Sequence, residues 1–180
     1  MRKILIAALA VALFACNTED KKETDAKGES KTSASTASMP FKAVYSTSFE
    51  MGDPKNMESV MMLWKAWEDG DLKAARKYFA DSVHLYLRDG AAMEGQTDTV
   101  MANVGAYRGS LKSMKCTVYT CMPLKSTDMK ENWVCIWGKE DFTDPQGKPD
   151  AVELQETWRF NKDGKVDLMY QYGKVVAAMK

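Results

Sequence analysis

Residues 63–95 read LWKAWEDGDLKAARKYFADSVHLYLRDGAAMEG, and this stretch limits the possible folds more than any other part of the chain. Val60, Leu63, Trp64 and Trp67 recur at helical spacing and form one broad apolar face. Asp53 and Pro54 supply its start, a carboxylate at the N-cap and a proline at the first helical position, where the missing N–H costs nothing. Gly70 stops this helix, and Asp71 can cap a second in which Leu72, Ala75 and Phe79 share a face. The period then changes to two, with Val83, Leu85 and Leu87 on one side of a half-buried strand and His84, Tyr86 and Arg88 on the other. Trp64, Trp67, Leu72 and Phe79 are therefore expected to lean on a sheet. Met57, Met61 and Met62 add flexible apolar bulk, as core filling or as the lining of an adaptable pocket.

The C-terminal half of the chain supplies that sheet. Thr97 can cap a third helix bearing Val100, Val104, Tyr107 and Leu111 on one side. Strands are then predicted over 115–124, 133–143, 151–160 and 165–175, separated by turn clusters at 126–129, 144–150 and 161–164. Four strands joined by short turns make an antiparallel meander, and helices preceding strands indicate an α+β domain with helices against one face of a curved sheet. Residues 41–49 fit either a short strand or an extended arm.

The N-terminal region reads as an address. Residues 1–15 read as a signal peptide, with basic Arg2 and Lys3 and an apolar run from Ile4 to Phe14 that is too short for the ~20 residues of a membrane-spanning helix. Leu13-Phe14-Ala15-Cys16 resembles the bacterial lipobox, which implies cleavage before Cys16 and a diacylglycerol on that cysteine. Residues 16–48 are expected to be a polar tether, because 17–39 hold almost nothing apolar to bury, and the domain proper to span 49–180. The expected location is the bacterial cell envelope, lipid-anchored to the outer membrane on its periplasmic face or at the cell surface. Net charge is formally zero and no basic run is interleaved with aromatics, so nucleic acid is not an expected partner.

The paired aromatics of the first helix, Gly70-Asp71, Tyr78-Phe79-Ala80-Asp81-Ser82-Val83, Asp89-Gly90, Gly95, the third helix, and Glu156-Thr157-Trp158-Arg159-Phe160 leading into Asp163-Gly164-Lys165-Val166 occur in a definite order. Together they resemble the nuclear transport factor 2-like (NTF2-like) superfamily, in its SnoaL-like branch. The resemblance implies an α+β cone, with three N-terminal helices packed on a curved antiparallel sheet. It also implies an apolar cavity at the wide end and a homodimer formed through the sheet. The superfamily holds isomerases, dehydratases, polyketide cyclases, ligand-binding domains and scaffolds, so the fold alone does not give the function.

Candidate chemistry centres on Glu156. With a four-residue turn at 161–164, Phe160 lies near Val166, Trp158 near Leu168, Glu156 near Tyr170, and Leu154 near Tyr172. Val152, Leu154, Trp158, Phe160, Val166, Leu168, Tyr170 and Tyr172 would then share an apolar face on which Glu156 is the single charge. Burial disfavours its ionised form and brings it toward proton transfer, with Tyr170 or His84 polarising a substrate. The structural alternative is a carboxylate hydrogen-bonded to a buried backbone group, paired with Arg88 or Arg159, or facing solvent at a bulge, since a one-residue register slip turns every side chain over. Trp64, Trp67, Tyr86, Arg88, Trp158 and Tyr172 are the candidate ligand-binding residues. His84, the only histidine, also fits a surface position, and Arg88 has Asp89 beside it as a simple partner.

Cys121 and Cys135 fall opposite each other if the turn centres near Asp128, which would permit a cross-strand disulfide; free thiols are the simpler expectation. One histidine and strand-separated cysteines match no metal-ligand spacing, and no Gly-rich phosphate loop occurs, so neither metal nor cofactor is expected. Trp133 and Trp137 fit either the pocket wall or a dimer-facing patch. Three functions remain open: a lipid-anchored cone binding a small apolar or amphipathic molecule, a proton-transfer enzyme of isomerase, dehydratase or cyclase type, and a dimerising scaffold.

Overall fold

A computed structural model describes residues 40–176 of the protein. The expected signal peptide, the lipidated Cys16 and the tether up to residue 39 lie outside the described residues.

A short strand β1 (Phe49–Met51) precedes helix α1 (Pro54–Asp69), a one-turn helix α2 (Leu72–Ala75) that runs on as a 3-10 turn (Arg76–Tyr78), and strand β2 (Phe79–Tyr86). Strand β3 (Ala92–Gln96), helix α3 (Thr97–Ser110) and strands β4 (Ser113–Ser126), β5 (Asn132–Thr143), β6 (Pro149–Phe160) and β7 (Val166–Val176) complete the domain. The strands make one seven-stranded sheet in the order β1-β4-β5-β6-β7-β2-β3, antiparallel except where β2 runs parallel to β7. This is the expected α+β arrangement, a curved and unclosed sheet with helices on its inner side. Register irregularities at Val118/Thr120, Arg159/Phe160 and Phe79/His84 add local twist that helps bend it.

Local chemistry explains most boundaries. The Asp53 side chain accepts from the Lys55 N–H at 2.9 Å, and Gly70 ends α1 at φ 74°, a left-handed conformation that glycine adopts without a Cβ penalty. Arg108 of α3 donates to the terminal carbonyls of α1, Trp67 O and Glu68 O, thereby tying the helices together. Glu68 accepts from the Cys116 N–H at 2.7 Å and anchors α1 to β4; that bond first, with Lys65 and Lys115, holds its carboxyl down at about 2.

Several expectations change. Phe79 opens β2 and is not part of a helix, because the 3-10 turn uses up the chain before it. Residues 92–96, for which the sequence predicts no element, form β3 and pair with β2. The cap of α3 is Gln96 and makes no side-chain bond, while Thr97 is fully buried and donates to Ala80 O at 2.6 Å, stapling α3 to β2. Met61 and Met62 are exposed and fill no core, while Met93, Met101, Met114 and Met169 line the interior cavity. Of the two readings of the segment before α1, residues 41–48 behave as an arm: the Tyr45 ring meets Trp133 edge-on at 5.3 Å, and its hydroxyl bonds that of Tyr170 at 2.7 Å.

The core lies between the inner face of the sheet and the helices. Val60, Leu63 and Trp64 of α1, Val100 of α3, and Val83, Leu85, Val134, Ile136, Val152, Leu154, Trp158, Phe160 and Val166 of the strands form a continuous buried cluster. α1 packs over β4 and β5, and α3 over β2 and β3.

Candidate functional site

Helices and sheet enclose a cavity of about 420 Å³. Its deep wall is formed by Trp64, Phe79, Trp158 and Glu156, and its rim carries the exposed Arg88, Asp89, Ala91 and Tyr107. Leu63, Leu72, Leu85, Val104, Phe142 and Met169 supply apolar surface between the two.

Glu156 sits at the bottom, 4% exposed. One carboxylate oxygen accepts the indole N–H groups of Trp64 at 2.7 Å and Trp158 at 3.0 Å, and the other accepts the Gln171 amide at 2.8 Å. Burial raises its pKa, and the three donors pull in the opposite direction. Trp64 reaches it because β5 has Gly138 at the crossing point, where a Cβ would stand 2.5 Å from the Trp64 ring and 2.6 Å from Thr117 O.

A second carboxylate, Glu140, lines the same cavity. β5 alternates Val134, Ile136, Gly138, Glu140 and Phe142 toward the interior, so Glu140 falls in phase with the core set. Burial first, and then the charge of Glu156, push its carboxyl up to about 7; Trp67, Arg88 and Arg108 oppose the shift. Among the described residues Glu140 makes no hydrogen bond and no ion pair. The buried indole N–H of Trp67 also has no hydrogen-bond partner; it lies close enough to Glu140 to lower its proton affinity, yet falls short of bonding geometry. Arg88 comes in from the rim across Gly173, where a Cβ would lie 2.5 Å from the Arg88 Cδ. Glu140 and Gln171 were missed by sequence reasoning. The strand phase set by Val134, Ile136 and Phe142 points to Glu140, but the charged run Lys139-Glu140-Asp141 reads as a solvated strand end.

The expected register of β6 and β7 holds at Phe160–Val166 and then shifts by one residue at the bulge. Trp158 pairs with Met169, Glu156 with Gln171, and Leu154 with Gly173. Because side chains alternate along a strand, this single slip sends Leu168, Tyr170 and Tyr172 to the outer face, away from Glu156. There Tyr170 stacks on Tyr86, with centroids 5.1 Å apart, and its hydroxyl is engaged by Tyr45, which pushes its pKa up to about 12. Tyr172 is exposed. His84 also faces outward, half-exposed, with Nδ1 3.7 Å from Glu94 Oε1. The structure thus gathers Glu156, Trp64, Trp67, Trp158 and Arg88 at the cavity and leaves Tyr170, His84, Tyr86 and Tyr172 outside it.

Trp133 and Trp137 are not pocket wall, since both alternate to the outer face, where Tyr45 covers Trp133. Cys121 pairs with Ile136, and Cys135 with Met122; the two cysteines fall on opposite faces and are free. The bulge at Val118/Thr120 displaces the expected match. Burial pushes the Cys116 and Cys121 thiols up to about 12 and about 11, so neither is a ready nucleophile at neutral pH. Among the described residues no group of three or more His, Cys, Asp and Glu side chains has metal-site geometry.

A bent sheet enclosing an apolar cavity with helices over its inner face defines the NTF2-like cone. Solved structures with this fold include a putative SnoaL-like polyketide cyclase from Shewanella denitrificans OS-217, 13% identical with a TM-score of 0.56, the match covering 68% of this chain and 92% of that one. SalBIII, an epoxide hydrolase/cyclase-like enzyme of pyran ring formation in the polyether salinomycin, is 15% identical with a TM-score of 0.55 over 67% of this chain and 92% of its own. A hypothetical protein with a ketosteroid isomerase-like fold from Catenulispora acidiphila DSM 44928, in complex with trimethylamine, is 16% identical with a TM-score of 0.52, covering 64% and 84% respectively. No protein-family model and no curated protein sequence matches the chain.

Proposed function

We propose that the protein binds a small apolar or amphipathic molecule in its cone. The observation that carries this reading is the cavity of about 420 Å³, apolar over most of its wall and open at the rim near Arg88 and Tyr107. Glu156 supports binding over catalysis by Glu156 itself, since its three donors leave it little freedom to take a substrate proton. Native mass spectrometry of the purified protein with sterols, fatty alcohols and aromatic acids tests the proposal: a bound small molecule surviving desolvation is expected, and a protein that retains none contradicts it.

A second reading, proton transfer in the manner of an isomerase, dehydratase or cyclase, is favoured by Glu140. A cavity carboxyl raised to about 7 exchanges protons easily at neutral pH. Solvent-deuterium exchange into a cavity-bound ketone, abolished in Glu140→Ala, is expected on this reading; exchange that survives the substitution counts against it.

The protein also carries, on our reading, a lipid on Cys16 that holds it to the outer membrane of a bacterial envelope. The support is the basic start, short apolar run and small residue before that cysteine. Labelled palmitate incorporated by the wild type and lost in Cys16→Ser is the expected result. Pairing of two copies through the outer sheet face is supported by the exposed Tyr172 beside Tyr86 and Tyr170, and Tyr172→Glu then lowers the molar mass measured by light scattering.

A further inference from the structure

The polar groups of the cavity differ in how far the protein itself satisfies them. The Trp64 and Trp158 indoles and the Gln171 amide are spent on Glu156, and Arg108 is held by the terminal carbonyls of α1. Apart from the exposed Arg88, Asp89 and Tyr107 at the rim, two groups remain: the buried Trp67 N–H, which has no partner, and beside it the Glu140 carboxyl, which among the described residues has neither a hydrogen bond nor an ion pair. One is a donor only and the other chiefly an acceptor, and both line the same apolar space. Each is costly to leave unpaired once a guest has expelled water.

Few guest functions satisfy both. An ether or ketone oxygen accepts from Trp67 but gives an ionised Glu140 nothing. An ammonium donates to Glu140 but has no lone pair for the indole, and a carboxylate would meet the charges of Glu140 and Glu156. A hydroxyl donates its O–H to Glu140 while its oxygen accepts from Trp67 Nε1. We propose that the ligand of the cone is an apolar alcohol or phenol whose hydroxyl is clamped between Trp67 Nε1 and Glu140. This rests on the binding function proposed above and specifies the ligand's polar end.

The test is calorimetric titration with four probes that share one apolar body: 2-naphthol, 2-methoxynaphthalene, 2-naphthoate and 2-naphthylmethylamine. At pH 8, where Glu140 is mostly ionised, 2-naphthol is expected to bind about ten-fold or more tightly than 2-methoxynaphthalene, the fold-change of a hydrogen bond to a charged group. In Glu140→Ala that ratio falls toward one, and in Trp67→Phe, which keeps a ring and loses the N–H, both probes bind more weakly because both oxygens accept from the indole. Either variant provides a reading if the other fails to fold by circular dichroism. Equal affinities, or the amine or naphthoate binding tightest, would overturn the hydroxyl clamp and leave the binding function standing. No binding by any of the four would overturn both.

Discussion

Glu140 and Glu156 differ in the respect that decides what a buried carboxylate does, namely whether donors reach it. Glu156 receives three N–H donors on two oxygens, an arrangement a neutral amide cannot match, because its NH2 would face a donor. Glu156→Gln is therefore expected to destabilise the protein by about 2–3 kcal/mol, measured by urea unfolding at pH 7. Glu140→Gln is expected to act in the opposite direction. The unfolded chain ionises Glu140 near its ordinary 4.5, whereas the folded chain holds the proton until about 7, so folded stability is lost as pH rises through that window. The substitution removes that loss and stabilises the protein by about 1–2 kcal/mol at pH 8, an advantage that disappears at pH 4. Glu156 was legible because it interrupts an otherwise apolar alternation. Glu140 was hidden because charged neighbours on both sides, Lys139 and Asp141, mask its phase.

At the scale of elements, the helices and long strands follow from local rules that the chain obeys: Asp53-Pro54 and Gly70 bound α1, and alternating β-branched and aromatic residues mark β4 to β7. Local rules do not determine where a bulge falls. The Arg159/Phe160 bulge moved Tyr170 and Tyr172 to the outer face, and the Val118/Thr120 bulge separated Cys121 from Cys135; bulges depend on how whole strands bend around the core. The approach of α1 to β5 rests on Gly138, since any Cβ there meets the Trp64 ring and the Thr117 carbonyl oxygen, and backbone cannot yield as a flexible side chain would. Gly138→Ala is expected to cost about 1–3 kcal/mol by thermal unfolding and to pull Trp64 off Glu156, seen as a shifted indole N–H resonance.

For the molecule as a whole, the fold sets an apolar cavity within a sheet whose outer face is rich in tyrosine. The order of helices and strands, with Gly70-Asp71 and Asp89-Gly90 at the breaks, made the cone legible in the sequence. The cavity's contents were only partly so, because they depend on β5, β6 and β7 meeting in one register. The proposed function lies inside the cone, from which His84 and Tyr170 face away. The most direct test is titration with N-phenyl-1-naphthylamine, an apolar dye that fluoresces out of water, on the wild type and on Val104→Trp, which fills the cavity from α3. Saturable binding at one dye per chain, lost in a folded Val104→Trp protein, is the predicted result. Absence of saturable binding to the wild type, or equal binding to both proteins, would contradict the assignment of function to the cone.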